Sequence, residues 1–271
     1  MTYPKPERAQ IDFFNRHGYL VVENAIPATD LDELEGWCEK ILEEKETLAN
    51  DWAWDARESR DQRSFRIVQS SPSFVWKDIR ESAYRKWLVE FGSILMNRKL
   101  EFWYDQFLAK PPAKSVPTYW HQDEGYWGRN LDDRGITCWI PLQDVTAQNG
   151  CMHFIDAGHL EGVLPHRLVE GMKSDLLTCD VDEARMVVCP IARGSVTFHH
   201  SKTPHMTTAN TSTGWRKAVT NHMQAVGAGG EGDHYAWKIY VNQRTGDRIV
   251  PKEKTDGVPR EFVDRFKPKS V

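Results

Sequence analysis

The chain has 271 residues, 40% of them hydrophobic, and a formal net charge of −4. That balance argues against a nucleic-acid scaffold, which would carry a basic patch or stripe, and leaves room for a local basic pocket; no run approaches the ~20 apolar residues of a membrane span. Its five cysteines form no C-x-x-C pair and its N-terminus, MTYPKPERAQ, has no apolar signal region, so reduced thiols in a cytoplasmic protein are the expectation.

Residues 8–17 read as a short helix closed by Gly18, followed by a strand in YLVVEN. From Thr29 the residues Leu31, Leu34, Cys38, Ile41 and Leu42 recur at helical spacing, which predicts an amphipathic helix to about residue 48. A charged, Trp-bearing loop with a short strand near Phe65–Gln69 comes next, then a helical stretch over 73–96. From about residue 100 the texture changes to short strand-like runs broken by Gly, Pro, Asn and Asp, among them FWYDQFLAK, ITCWIPLQDV, GSVTFHH and KAVTNHMQAV.

Helices first and strands later is an α+β pattern with a mainly β core, and many short strands suggest a double-sheet jelly roll with the N-terminal helices packed on one face. The chain reads as one domain, residues 1–271. Its helical part runs to about residue 98, its jelly-roll core covers about 99–245, and a charged tail follows.

The segment TYWHQDEGYW places His121 and Asp123 two residues apart at the end of a predicted strand, on one face by strand alternation. An imidazole and a carboxylate so placed offer two corners of a metal site. A second imidazole has three candidates, His199, His200 and His205. His199 and His200 are adjacent and point to opposite faces of a strand, and His205 opens another. Two His and one carboxylate with the remaining positions open is the set used by non-haem Fe(II) oxygenases. Arg216, eleven residues after His205, is a fixed cation suited to the far carboxylate of a dicarboxylic co-substrate.

KPP, HQD, WIPLQDVTAQNGCMHFIDAGHLEG and FHHSKTPHMTTANTSTGWRKA together resemble the phytanoyl-CoA dioxygenase family over roughly residues 100–225, with a weaker echo in IDFFNRHGYLVVENAIP. The resemblance implies a double-stranded β-helix (cupin-like jelly roll) and an iron site of His121, Asp123 and His205. It also implies that Arg216 pairs with the C5 carboxylate of 2-oxoglutarate, and that Gln106, Gln122, Trp139 and Thr207 belong to the co-substrate site. A basic residue of the family further upstream corresponds to Arg66. His153, His159, His199 and His200 are then supporting residues.

These residues together imply a dioxygenase using Fe(II), 2-oxoglutarate and O2 to oxidise a small molecule, releasing succinate and CO2. Related halogenases replace the carboxylate ligand by Gly or Ala, so Asp123 points to oxygenation, with hydroxylation the default. Tyr126, Trp127 and Arg129, which follow directly on the metal-binding strand, are candidate substrate contacts. Two other classes compete. A catalytically silent jelly roll would be free to lose any member of the set, and all are present. A zinc hydrolase also accepts two His and a carboxylate but has no use for Arg216.

Overall fold

The structure is a computed structural model, and it describes residues 3–53, 65–75, 79, 81–127, 135–171 and 176–227. The N-terminal elements are α1 (Arg8–His17), β1 (Tyr19–Val22), α2 (Ala28–Glu43), α3 (Lys45–Leu48), β2 (Asn50–Asp51), β3 (Val68–Ser70), α4 (Pro72–Val75) and α5 (Ala83–Leu95). Then come β4 (Leu100–Lys110), β5 (Thr118–His121), α6 (Asp123–Trp127), β6 (Ile136–Pro141) and β7 (Met152–Ile155). The chain continues through β8 (His166–Leu168), β9 (Leu177–Cys179), β10 (Met186–Cys189), β11 (Val196–His200), β12 (His205–Thr207) and β13 (Arg216–Ala225).

Local chemistry accounts for the helix ends. Glu7 and Gln10 form a reciprocal capping box at the start of α1, and Gly18, at φ 79°, takes the left-handed conformation that ends it. The helix expected from Thr29 to about residue 48 divides at Glu44, whose φ of −106° leaves helical geometry, into α2 and α3. Within the stretch expected to be helical over 73–96, the described residues hold the end of α4 and the whole of α5, and Ser82 is extended just before α5.

The strands form a jelly roll of two main antiparallel sheets. One has seven strands in the order β1-β11-β6-β13-β4-β3-β2, the other four in the order β10-β7-β12-β5. A small β8–β9 ribbon lies beside β5. Strand alternation divides the large sheet's side chains by destination. Odd positions of β13, even positions of β6 and β11, and odd positions of β4 send Val219, Met223, Ile136, Cys138, Ile140, Phe198, Phe107 and Ala109 outwards. There they pack on Leu31, Leu34, Cys38 and Ile41 of α2 and on Trp87, Leu88, Phe91 and Leu95 of α5. The helices thus lie on one face of the β core, as expected. Burial of this apolar face, worth about 25 cal/mol per Å² removed from water, is the main force holding helices to sheet.

Two devices pin the layers. Arg85 of α5 meets Asp105 of β4 at 2.7 Å with both side chains buried, and Ser71 and Ser73 donate further hydrogen bonds to the same carboxylate. At the rim, Lys217 and Arg193 bind Glu35 of α2 at 2.5 and 2.9 Å. The last described strand ends at Ala225, so the expected end of the core near 245 and the charged tail lie outside the described residues. Among the described residues no helix is long and apolar enough to cross a membrane.

Candidate metal and co-substrate site

The opposite parity of the same strands builds the site. Tyr104, Gln106 and Leu108 of β4, Thr137 and Trp139 of β6, His199 of β11 and Arg216, Thr220 and His222 of β13 all line one cavity between the sheets. The small sheet supplies its other wall with Thr118, His121, Met152, His205 and Thr207.

His121 closes β5 and His205 opens β12, and the two are direct cross-strand partners. Asp123 is not on the strand. It begins α6, so the turn from strand to helix, rather than strand alternation, brings its carboxylate beside His121. Ligand atoms of His121, Asp123 and His205 lie within 4.8 Å of one another, all on buried side chains. A divalent metal with ligands at roughly 2.0–2.2 Å needs this proximity.

The imidazoles are oriented for it. His121 Nδ1 lies 2.7 Å from the Tyr119 carbonyl and His205 Nδ1 2.9 Å from that of Thr203. A carbonyl only accepts, so each Nδ1 carries the proton and each Nε2 keeps its lone pair for a metal. Burial pushes the His121 imidazole down to about 4 and holds His205 well below its ordinary range, so both are neutral at pH 7. Burial works against ionisation of Asp123, but the surrounding imidazoles of His205, His199 and His222 outweigh it and keep the carboxyl well below the usual range. The donor set fits a divalent cation in protonation as well as position.

Around the triad lies a supporting chain in which Thr137 and His222, not singled out from the sequence, join His199, which was. Thr137 Oγ1 donates to Asp123 Oδ2, His222 Nδ1 lies 2.9 Å from the same hydroxyl, and His222 Nε2 lies 3.3 Å from Gln106 Oε1. His199 Nε2 is 3.3 Å from Asp123 Oδ2.

Arg216 stands at the start of β13, fully buried, with its guanidinium carbon 5.9 Å from the Trp139 ring centre. Its Nη1 reaches the Leu108 carbonyl at a long 3.4 Å, and its Nε has no hydrogen-bond partner among the described residues. Burial pushes it down to about 10. A buried guanidinium with an orphaned N–H is costly unless an anion completes it. Gly150, at φ 93°, lets the preceding turn close here; a Cβ would stand 2.9 Å from the Thr208 carbonyl and 3.6 Å from Arg216 Nε.

Gln106, Trp139 and Thr207 share this cavity wall. Gln122, expected in the co-substrate set, is not among the residues that line it. Its side-chain amide donates to the carbonyls of Gly162 and Lys202 and accepts from Leu164 N, so both its nitrogen and its oxygen are engaged in tying the 162–164 segment to Lys202. Arg66 hydrogen-bonds the Ala53 carbonyl and is not part of the described cavity wall. Tyr126 reaches the mouth, edge-on to His121 at 5.2 Å and beside Trp52 at 5.7 Å, while its hydroxyl accepts from Leu177 N. The Trp127 side chain and Arg129 lie outside the described residues.

Fold and site together define a jelly-roll protein in which two imidazoles and one carboxylate, placed as a candidate metal triad, share a cavity with a buried arginine. The sequence profile of the phytanoyl-CoA dioxygenase (PhyH) family matches residues 14–218, and the chain belongs to that family. A phytanoyl-CoA dioxygenase domain-containing protein 1 of Danio rerio is 27% identical over 43% of this chain and 42% of its own length. A probable alpha-ketoglutarate-dependent hypophosphite dioxygenase of Stutzerimonas stutzeri is 30% identical over 69% of this chain and 62% of its own length. The chain therefore spans about half the length of these curated relatives. Among solved structures, EvdO2 of Micromonospora carbonacea var. aurantiaca, complexed with 2-oxoglutarate, aligns with a TM-score of 0.66 at 23% identity, covering 83% of this chain and 93% of that one. The epimerase SnoN, in complex with Fe3+, alpha ketoglutarate and nogalamycin RO, aligns with a TM-score of 0.65 at 20% identity, covering 80% and 82%. Both likenesses establish the jelly-roll fold.

Proposed function

We propose that this protein is an Fe(II)- and 2-oxoglutarate-dependent oxygenase that hydroxylates a small molecule. The observation that carries the reading is the pairing, in one cavity, of the triad His121, Asp123 and His205 with buried Arg216, whose Nε has no hydrogen-bond partner among the described residues. Fe(II) held by the triad would supply the O2 chemistry, in which oxidative decarboxylation of 2-oxoglutarate to succinate and CO2 accompanies substrate oxidation. The chain's own residues do the rest. His121 and His205 present Nε2, Asp123 offsets cationic charge, Arg216 orients the co-substrate by its distal carboxylate, and Trp139 packs beside that pair. Asp123 occupies the position that halogenases open for chloride, which supports oxygenation.

Trp52, Leu108, Tyr126 and Met206 supply an apolar, aromatic portion of the cavity, and among its described lining residues Arg216 is the one lysine or arginine. A substrate with flat or apolar surface suits that wall. An acyl-CoA, with several phosphates to hold, has no described basic groove, and family membership does not fix the substrate.

The test is succinate formation by anaerobically purified protein given Fe(II), 2-oxoglutarate and O2, with and without a metabolite library, against His205→Ala. Iron-dependent succinate above that control is expected, and the stimulating compound identifies the substrate class. Arg216→Ala separates this reading from a zinc hydrolase: it should abolish an oxygenase and largely spare a hydrolase.

A further inference from the structure

Lys110 is the last residue of β4 and is wholly buried. Strand parity turns it inwards, and in the antiparallel register it is the direct partner of Arg216. Two like charges opposite one another on a buried face are destabilising. Neither has a carboxylate partner among the described residues. Lys110 Nζ meets three neutral oxygens instead: Thr207 Oγ1 at 2.8 Å, the Thr208 carbonyl at 2.8 Å and the Thr207 carbonyl at 3.1 Å. An ammonium has three donors and no acceptor, so three oxygens satisfy it completely. Two of these oxygens are carbonyls. The third belongs to a hydroxyl, which must accept from Lys110 and is therefore left with its own proton to donate elsewhere. Thr207 lines the cavity that holds Arg216.

We propose that Lys110 is a positioning residue for the co-substrate: by donating to one lone pair of Thr207 Oγ1 it closes its own side to that hydroxyl's proton, which is left to point into the cavity it shares with Arg216, so that guanidinium and hydroxyl together grip the distal carboxylate. The proposal rests on reading the cavity as a 2-oxoglutarate site and adds the residue that sets the polarity of its far end. It also gives a reason for the paired buried cations, because a bound carboxylate would offset both.

The experiment measures anaerobic binding to Mn(II)-loaded protein by calorimetry, using 2-oxoglutarate and 2-oxopentanoate. The second probe has the same chain and the same chelating end but a methyl group in place of the distal carboxylate. Wild-type protein should prefer 2-oxoglutarate. Lys110→Met should shrink that preference by about tenfold or more, the scale of one hydrogen bond to a charged group. Thr207→Val should do the same and Thr207→Ser should retain the preference. The double variant Lys110→Met/Thr207→Val should be no worse than either single one, since both remove the same donor.

Equal weakening of both probes in Lys110→Met would assign Lys110 a purely structural role and overturn the proposal. Additive losses in the double variant would overturn it too. Should Lys110→Met not fold, Lys110→Ile, a strand-favouring residue with no donor, carries the test: reduced preference supports the proposal and wild-type preference overturns it. Absence of any preference in wild type, unchanged in Arg216→Ala, would instead mark failure of the underlying 2-oxoglutarate reading.

Discussion

At the scale of single residues, the site depends on side chains that hold others in place. Thr137 Oγ1 donates to the Asp123 carboxylate and is itself met by His222, so it fixes the orientation of a metal ligand without touching the metal position. Such outer partners typically contribute about 10–100-fold to metal affinity. Thr137→Val, which keeps shape and removes the hydroxyl, should lower Mn(II) affinity by that order in an anaerobic titration while the far-ultraviolet circular dichroism is unchanged. Unaltered affinity would show that Asp123 needs no such support. The candidate ligands stood out in the sequence, because H-x-D and a later imidazole are few residues with a definite chemistry, and the structure brings them together. Lys110 did not stand out. Sequence reasoning treats lysine as a surface residue, and only the register that sets it opposite Arg216 reveals it as buried.

Among the elements, β13 does the most positioning. Its even residues Arg216, Thr220 and His222 face the cavity, while Val219 and Met223 face the helices. The sequence marked this strand, and counting by two from Arg216 would have found Thr220 and His222. Helix α2 is held to the rim of the same strand by Glu35 with Lys217 and Arg193. Burial opposes ionisation of Glu35, but hydrogen bonds from Lys217 and then Arg193 outweigh it and hold the carboxyl below its ordinary range. A carboxyl lowered on folding contributes stability above its unfolded value, near pH 4.3, that is lost as pH falls through its folded value. Glu35→Gln should therefore melt a few degrees below wild type at pH 7, on the order of 1 kcal/mol. The gap should close as the pH is lowered below 4. A gap that persists unchanged into strong acid would contradict this account. The β8–β9 ribbon was missed because its six strand residues show no alternation.

For the whole molecule, helices early and strands late was enough to name the architecture, since a two-faced sheet must cover its apolar side with helices and enclose the other. What composition could not supply was the pairing of distant strands. His121 meets His205 only because β5 and β12 are neighbours in the small sheet, and Arg216 faces them only because the large sheet folds across. The same closure explains why Gln122, beside two ligands in sequence, is turned away from the cavity. Trp52 reaches the site from an irregular segment for which no periodicity exists, so no sequence rule would have placed it there.

In the function proposed above, one cavity binds a metal at the triad and a dicarboxylic 2-oxo acid between that metal and Arg216. Anaerobic titration of 2-oxoglutarate into Fe(II)-loaded protein, followed by the visible charge-transfer absorption of an iron-bound 2-oxo acid, tests it most directly. Wild type should develop the band and saturate. His205→Ala should not develop it, and Arg216→Ala should need on the order of a hundredfold more 2-oxoglutarate, as expected for losing a bidentate charged contact. No band in wild type, or a band that saturates identically in Arg216→Ala, would contradict the account.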